Sequence, residues 1–192
     1  TPSLAADGAM DFFTTGGRNL RAAEAEAGVA HHIALSVVGT ERLQASGYFR
    51  AKLAQEALIE AASTPWTILR STQFFPFITG IIQAGSVGTE VHLPDALIQP
   101  VSADDVAAAL VELALGEPAN GRVEIAGPEA IRLTAFAEEY LAAVEDRRPV
   151  IADPATLYFG AALKDDTLTP GPNPLLGEDT LEDWLRQSIT AD

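Results

Sequence analysis

One stretch constrains the fold more than any other. It runs from His31 to Phe75 and reads HHIALSVVGTERLQASGYFRAKLAQEALIEAASTPWTILRSTQFF. His32 to Val38 is a short apolar run, long enough for a buried strand and too short for a helix. Between Gly47 and Ala62 apolar residues fall at Phe49, Leu53, Ala57, Leu58 and Ala61 with good helix formers between them, which is helical spacing. Trp66 to Leu69 is a second short apolar run, entered through Pro65 and closed by Arg70, Ser71 and Thr72. A strand, a helix and a strand joined by a crossover of this length predict a parallel pair with a right-handed connection.

The predicted helix opens with Tyr48-Phe49-Arg50-Ala51-Lys52, a Tyr-x-x-x-Lys. Residues four apart share one helical face, so a phenol and an ammonium can address the same point. A lysine held there favours the phenolate and lowers the Tyr48 pKa, which suits a tyrosine that trades protons near neutral pH. Ser36 falls at the carboxyl end of the first strand, the end at which open α/β sheets bind ligands.

These residues resemble the short-chain dehydrogenase/reductases, in particular the atypical, NmrA-like branch that binds NAD(P). The strand ending in Leu35-Ser36-Val37, the Tyr48/Lys52 pair and the segment Thr67 to Phe74 stand in that family's order. The resemblance implies an α/β fold: the C-terminal part of a Rossmann-like doubly wound parallel sheet with a small substrate-side α+β lobe. It places residues 1–75 in the remnant of an NAD(P)-binding domain and residues 76–192 in the lobe. One feature of the family is missing: no strand leads into a Gly-x-x-Gly-x-x-Gly turn, where backbone amides meet a pyrophosphate at a helix N-terminus. By the family's order, on the order of 80 residues would precede this chain, counted from typical βαβ units.

The implied activity is NAD(P)-dependent oxidoreduction of a small carbonyl, quinone or similar acceptor, with NADP or NAD as cofactor. Tyr48 would be the proton donor and acceptor. Lys52 would tune it and bind the nicotinamide ribose, and Ser36 would hydrogen-bond the substrate oxygen. The turn after the second strand passes the nicotinamide in this family, which makes Thr72, Gln73 and Phe74, with Ser71 beside them, candidate cofactor or substrate contacts. The alternatives are a non-catalytic NAD(P)-sensing regulator using the same cleft, and an inactive piece of a longer reductase. The helix carrying Tyr48 often joins dimers in the family, so a homodimer is possible.

Composition narrows the partners. The sequence is 47% hydrophobic and 20% charged, ordinary for a globular chain with one sizeable core. A net charge of −15 opposes nucleic acid and anionic membrane surfaces. It does not oppose a dinucleotide, which is held by local amides and a few side chains. The absence of cysteine removes disulfides and thiolate metal sites and fits a cytoplasmic protein. No run approaches the length of a membrane span. His31, His32 and His92 lack metal-ligand spacing, so no metal site is expected.

The remaining segments give a coarse outline. Residues 1 to 9 read as a loose entry. Met10 to Gly28 reads as a helix burying Phe12, Phe13, Leu20, Ala23 and Ala27, with Arg18, Arg21, Glu24 and Glu26 outside and Gly28 as its cap. Phe77 to Gln83 is a short apolar helix, and Glu90 to Leu93 and Leu97 to Val101 are strands. Ser102 caps a helix whose first turn holds Asp104 and Asp105. Its apolar stripe is Val106, Leu110, Val111, Leu113 and Ala114. Arg122 to Ala126 is a strand, and Thr134 caps a helix from Ala135 to Val144. Residues 145 to 179 read as loop with a short helical piece from Thr156 to Leu163. Thr180 to Ile189 closes the chain as a helix.

Overall fold

The computed structural model describes residues 6–189. The loose entry expected over residues 1 to 9 lies outside the described residues as far as residue 5. Helix α1 (Ala6–Ala27) begins a turn earlier than its apolar pattern predicts. Gly28 takes a positive φ of 66°, and the Val29 amide donates to the Glu24 carbonyl at 3.0 Å, which ends α1 in a Schellman-type cap. Strand β1 (His32–Val37), helix α2 (Gly47–Glu60) and strand β2 (Trp66–Ser71) follow. β1 and β2 pair in parallel with Ala34 opposite Ile68 and Ser36 opposite Arg70, so the predicted strand–helix–strand unit forms.

A 3-10 turn (Phe75–Phe77) leads into α3 (Ile78–Gly85), a hairpin of β3 (Ser86–Val87) and β4 (Glu90–Leu93), and β5 (Leu97–Ile98). Then come α4 (Ala103–Leu115), β6 (Gly121–Ala126), β7 (Ile131–Arg132), α5 (Leu133–Ala143), β8 (Val150–Ala152), β9 (Leu175–Leu176) and α6 (Leu181–Ile189). The main sheet is parallel throughout, in the order β1-β2-β6-β9. A three-stranded sheet β3-β4-β8 and a small β5-β7 pair build the lobe beside it. This is an α/β fold with a Rossmann-like parallel sheet, as the sequence implies.

Three local expectations change. The buried stripe of α1 is reversed: Phe12 and Leu20 are 51% and 52% exposed, whereas Glu24 is buried. Glu24 is drawn inward because Arg21 donates to it and His32 Nδ1 lies 2.6 Å from its Oε1, so a charge cluster replaces an apolar seam. Thr134 does not cap α5, which starts at Leu133; its hydroxyl donates to Asp95 Oδ1 at 3.1 Å instead. Thr156 to Leu163 forms no helix. Tyr158 and Ala161 exchange backbone hydrogen bonds of 2.8 and 3.0 Å around a two-residue turn, with Phe159 at φ 46° and Gly160 at φ 87°. Two positive φ values in succession are what a tight hairpin of this kind requires.

Elsewhere the local chemistry holds. The Ser102 hydroxyl accepts from the Asp104 amide at 3.1 Å and caps α4, although Val111, expected in its buried stripe, is exposed. The larger core lies in the lobe, where Phe75, Ile78, Ile98, Leu133, Phe136 and Leu168 are buried together. Helix α6 docks onto this core through Trp184, which stacks on Phe75 at 5.5 Å and on Tyr140 at 6.0 Å. A second cluster, Leu69, Val101, Val106 and Ile125, holds α4 against the sheet. Among the described residues no helix is long and apolar enough to cross a membrane.

Candidate active site

Where β1 and β2 end, a cleft of about 480 Å³ opens between the main sheet and the lobe. Ligands of open α/β sheets bind at this end of the strands. Val37 and Ser71 supply its floor from the strand ends, and Ser46, Tyr48 and Phe49 one wall from the start of α2. Thr72, Gln73 and Phe74 follow β2 along its length, and Phe77, Tyr158 and Phe159 close the lobe side.

The segment after β2 is held by its backbone. The Thr72 amide donates to the Ile125 carbonyl at 3.0 Å, the Val101 amide to the Gln73 carbonyl at 2.9 Å, and the Phe75 amide to the Val101 carbonyl at 3.1 Å. With the main chain fixed in this way, the side chains of Thr72 and Gln73 are left over. Gln73 is only 6% exposed and its amide lies against the Tyr158 hydroxyl with no well-formed hydrogen bond at Oε1 or Nε2, and the buried Thr72 hydroxyl has no partner. Buried polar atoms are normally paired, so underused ones grouped at a cleft mark a place where a ligand's polar atoms belong.

Tyr48 borders the cleft half-buried, its ring edge-on to Phe13 of α1 at 6.3 Å and to Phe49 at 5.3 Å. Burial pushes its pKa above the ordinary phenol value, the reverse of the depression expected from Lys52. The reason is where Lys52 goes. Its ammonium donates to the Leu35 carbonyl at 3.0 Å and to Gln55 Oε1 at 2.6 Å, and it lies 4.8 Å from the centroid of the Phe13 ring. Lys52 is buried among these groups and is not part of the cleft wall. Burial lowers its own pKa to about 8, against an upward pull from Glu56.

Ser36 is also outside the cleft. It faces α2, where its hydroxyl donates to Glu56 Oε1 at 2.5 Å. Glu56 is fully buried and accepts from Arg70 Nε at 3.0 Å and Arg70 Nη2 at 2.6 Å. Arg122 and Glu41 extend the network from β6 and from the loop before α2. Of the seven residues singled out from the sequence, the structure therefore gathers Tyr48, Ser71, Thr72, Gln73 and Phe74 around one cleft and places Lys52 and Ser36 beneath it. Sequence reasoning missed Val37, Ser46, Phe49, Phe77, Tyr158 and Phe159. The one readable signal was Gly160, an isolated glycine inside the apolar run that the helical reading of Thr156 to Leu163 passed over.

No protein-family model matches the sequence, and no curated protein matches it. Solved structures do. A short-chain dehydrogenase/reductase superfamily protein from Agrobacterium tumefaciens with bound NAD is 17% identical, covering 93% of this chain and 72% of that one, with a TM-score of 0.62. The dTDP-4-dehydrorhamnose reductase of Bacillus anthracis in complex with NADP is 15% identical over 93% of this chain and 72% of its own, with a TM-score of 0.66. The Bordetella bronchiseptica enzyme WbmG in complex with NAD and UDP is 17% identical over 95% and 67%, with a TM-score of 0.65. The parallel sheet, its helices and the lobe beside it thus share their fold with these solved structures.

Proposed function

We propose that the cleft takes the nicotinamide end of NADP or NAD and a small carbonyl acceptor, and that the chain serves an oxidoreductase of the atypical, NmrA-like kind. The observation that carries this reading is the grouping of the buried polar side chains of Thr72 and Gln73 with Tyr48 at the carboxyl ends of β1 and β2. These groups suit a carboxamide and a carbonyl, each of which brings its own donors or acceptors. Nicotinamide supplies the hydride when bound. Tyr48 keeps a proton at its hydroxyl and gives it to the acceptor oxygen. Thr72 and Gln73 bind and orient, while Phe49, Phe74 and Phe77 keep water from the reacting atoms. In this reading the residues up to 75 form the dinucleotide side and those after them the substrate side.

Among the described residues no glycine-rich turn faces the cleft from a strand end, so the pyrophosphate is not provided for in the way the nicotinamide is. Lys52 and Ser36, set beneath the cleft, favour a second reading, in which the chain senses NAD(P) without turning it over. Titration of the chain with NADPH and NADH, followed by turnover assays on Tyr48→Phe, tests both. Binding with turnover that Tyr48→Phe abolishes supports the oxidoreductase. Binding with no turnover in either protein supports the sensor, and no binding of either dinucleotide overturns both.

A further inference from the structure

We propose that the N-terminus of α2, together with the hydroxyls of Ser46 and Thr72, forms an oxyanion subsite in the wall of the cleft. It takes a carboxylate or a phosphoryl group. The subsite goes beyond the oxidoreductase reading, because it holds whatever reaction the cleft serves.

The helix is the first argument. A crossover helix begins at the carboxyl end of the parallel strand before it, so α2 opens its first turn beside the cleft. Ser46 stands at the N-cap with φ −81° and ψ 131°, the backbone of a capping residue, yet its side chain makes no cap bond. Ser102, at the same position of α4, does cap. The amides of Gly47, Tyr48 and Phe49 find no acceptor among the described residues, and the first turn of α2 holds no acidic side chain. Donors aligned in this way, at the positive end of a 14-residue helix, favour an anion. Arg50 adds positive charge at the same end. Its Nη1 donates to the Gln44 and Ala45 carbonyls at 2.8 and 2.9 Å, which pins the loop that enters the helix.

The side chains are the second, and they are independent of the helix. Ser46 is 6% exposed and lines the cleft with a hydroxyl that caps nothing. Thr72 is 2% exposed, lines the same cleft just past the end of β2, and leaves its hydroxyl without a partner. Buried hydroxyls are normally bonded, so two left free on one cavity point to a ligand. Each can donate to an oxyanion, as the helix amides do. No Asp or Glu among the described residues lines the cleft, so the net charge of −15 is carried elsewhere. No Lys or Arg lines it either. Amides and hydroxyls alone do the holding, which sets a modest affinity.

The test is a titration of the isotope-labelled 192-residue chain, read by the chemical shifts of its backbone amides. The probes are sodium phosphate, sodium acetate and neutral acetamide, at constant ionic strength. The amides of Gly47, Tyr48 and Phe49 should shift together and saturate with phosphate or acetate, and acetamide should bind roughly tenfold more weakly or less. Tighter phosphate marks a phosphoryl ligand and tighter acetate a carboxylate, and either supports the subsite. Ser46→Asp should raise the melting temperature and remove the response to both anions, since a resident carboxylate caps the helix and repels a second one. Thr72→Val should weaken anion binding by roughly tenfold with the fold intact. No saturable response to either anion, acetamide binding equal to that of acetate, or an unchanged response in Ser46→Asp overturns the proposal. NADPH binding and turnover are scored separately on the same chain. Anion binding without them leaves the subsite standing and sinks the oxidoreductase reading, whereas turnover with no anion response does the reverse.

Discussion

Lys52 carries its ammonium 4.8 Å from the centre of the Phe13 ring, and the same ring meets Tyr48 at 6.3 Å. Helix α1 thereby reaches both members of the Tyr-x-x-x-Lys pair with one side chain. The contact is apolar for Tyr48 and partly compensating for Lys52, whose charge gains from the ring's π-face. It explains why the two residues share a helix face and still fail to tune each other as their spacing suggests. The phenol responds to burial, and the ammonium responds to burial and to Glu56.

Lys52 should make stability depend on pH in an unusual direction. Its pKa falls from 10.5 in the unfolded chain to about 8 in the fold. Below about 8 both states carry the proton and the cost of burying the charge is fully present. Between about 8 and 10.5 the unfolded chain binds the proton and the folded chain does not, so stability rises with pH. The gain across that window is about 3 kcal/mol, from 1.36 kcal/mol per pKa unit. Urea denaturation of wild type and Lys52→Met at several pH values isolates the effect. The variant should be the relatively more stable protein at neutral pH and lose that advantage as pH climbs. A constant difference between the two would refute the assignment.

Glu56 and Arg70 form the firmest polar link between α2 and β2. Burial alone would lower the Arg70 pKa, but the bonds to Glu56 and the charges of Glu56, Glu41 and Glu124 outweigh it and raise the value. Removing one member strands the other's charge, which typically costs about 3–5 kcal/mol. Glu56→Leu and Arg70→Met should each destabilise on that scale, and the double variant should lose clearly less than their sum. A urea-based double-mutant cycle measures the coupling. Additive losses would mean that Arg122 and Ser36, not Arg70, hold Glu56 in place.

The parts of the fold that could be read in advance are those whose partners lie close in sequence. β1, α2 and β2 follow from apolar period and turn residues. α4 follows from Ser102 and its acidic first turn, and β6 from the Asn120-Gly121 turn that precedes it. Beyond the local misreadings at Thr134 and over Thr156 to Leu163, the failures are long-range. Glu24 reads as a solvent-facing residue and Lys52 as a cleft residue until β1 supplies His32 to one and the Leu35 carbonyl to the other. Glu56 is buried only because Arg70 arrives from the strand beneath it. The candidate site divides along the same line. Tyr48, Thr72, Gln73 and Phe74 belong to the readable unit. Phe77, Tyr158 and Phe159 come from a lobe whose approach to the strand ends no local pattern encodes.

Two glycines should respond oppositely to alanine. A Cβ on Gly127 would overlap the Pro100 carbonyl, placing it 3.0 Å from the carbonyl carbon. The Gly127 carbonyl also accepts from Gln99 Nε2 at 2.7 Å, so the backbone there cannot withdraw freely. Gly127→Ala should cost about 2–3 kcal/mol by overpacking. Gly80 lies inside α3 with nothing within 4 Å of an added Cβ. Gly80→Ala should stabilise by about 0.5–1 kcal/mol through the entropy of the unfolded chain. Thermal melts of the two variants settle the signs, and a stable Gly127→Ala would show that the β6 end is looser than its contacts imply.

The pH profile of turnover tests the role given to Tyr48. Its pKa lies above 10.0 because the ring is buried beside Phe13 and Phe49. The phenol is therefore the form present throughout the neutral range, and it is the form that donates. Carbonyl reduction should stay flat from about pH 6 to about pH 9, because the donor keeps its proton over that span. The reverse oxidation needs the phenolate, so its rate should climb about tenfold per pH unit over the same interval. Tyr48→Phe should remove that slope together with most of the rate. A break in the profile near about pH 7 would instead mean that an ammonium governs the phenol once ligands are bound. Lys52 would then have to leave the Leu35 carbonyl and turn toward the cleft.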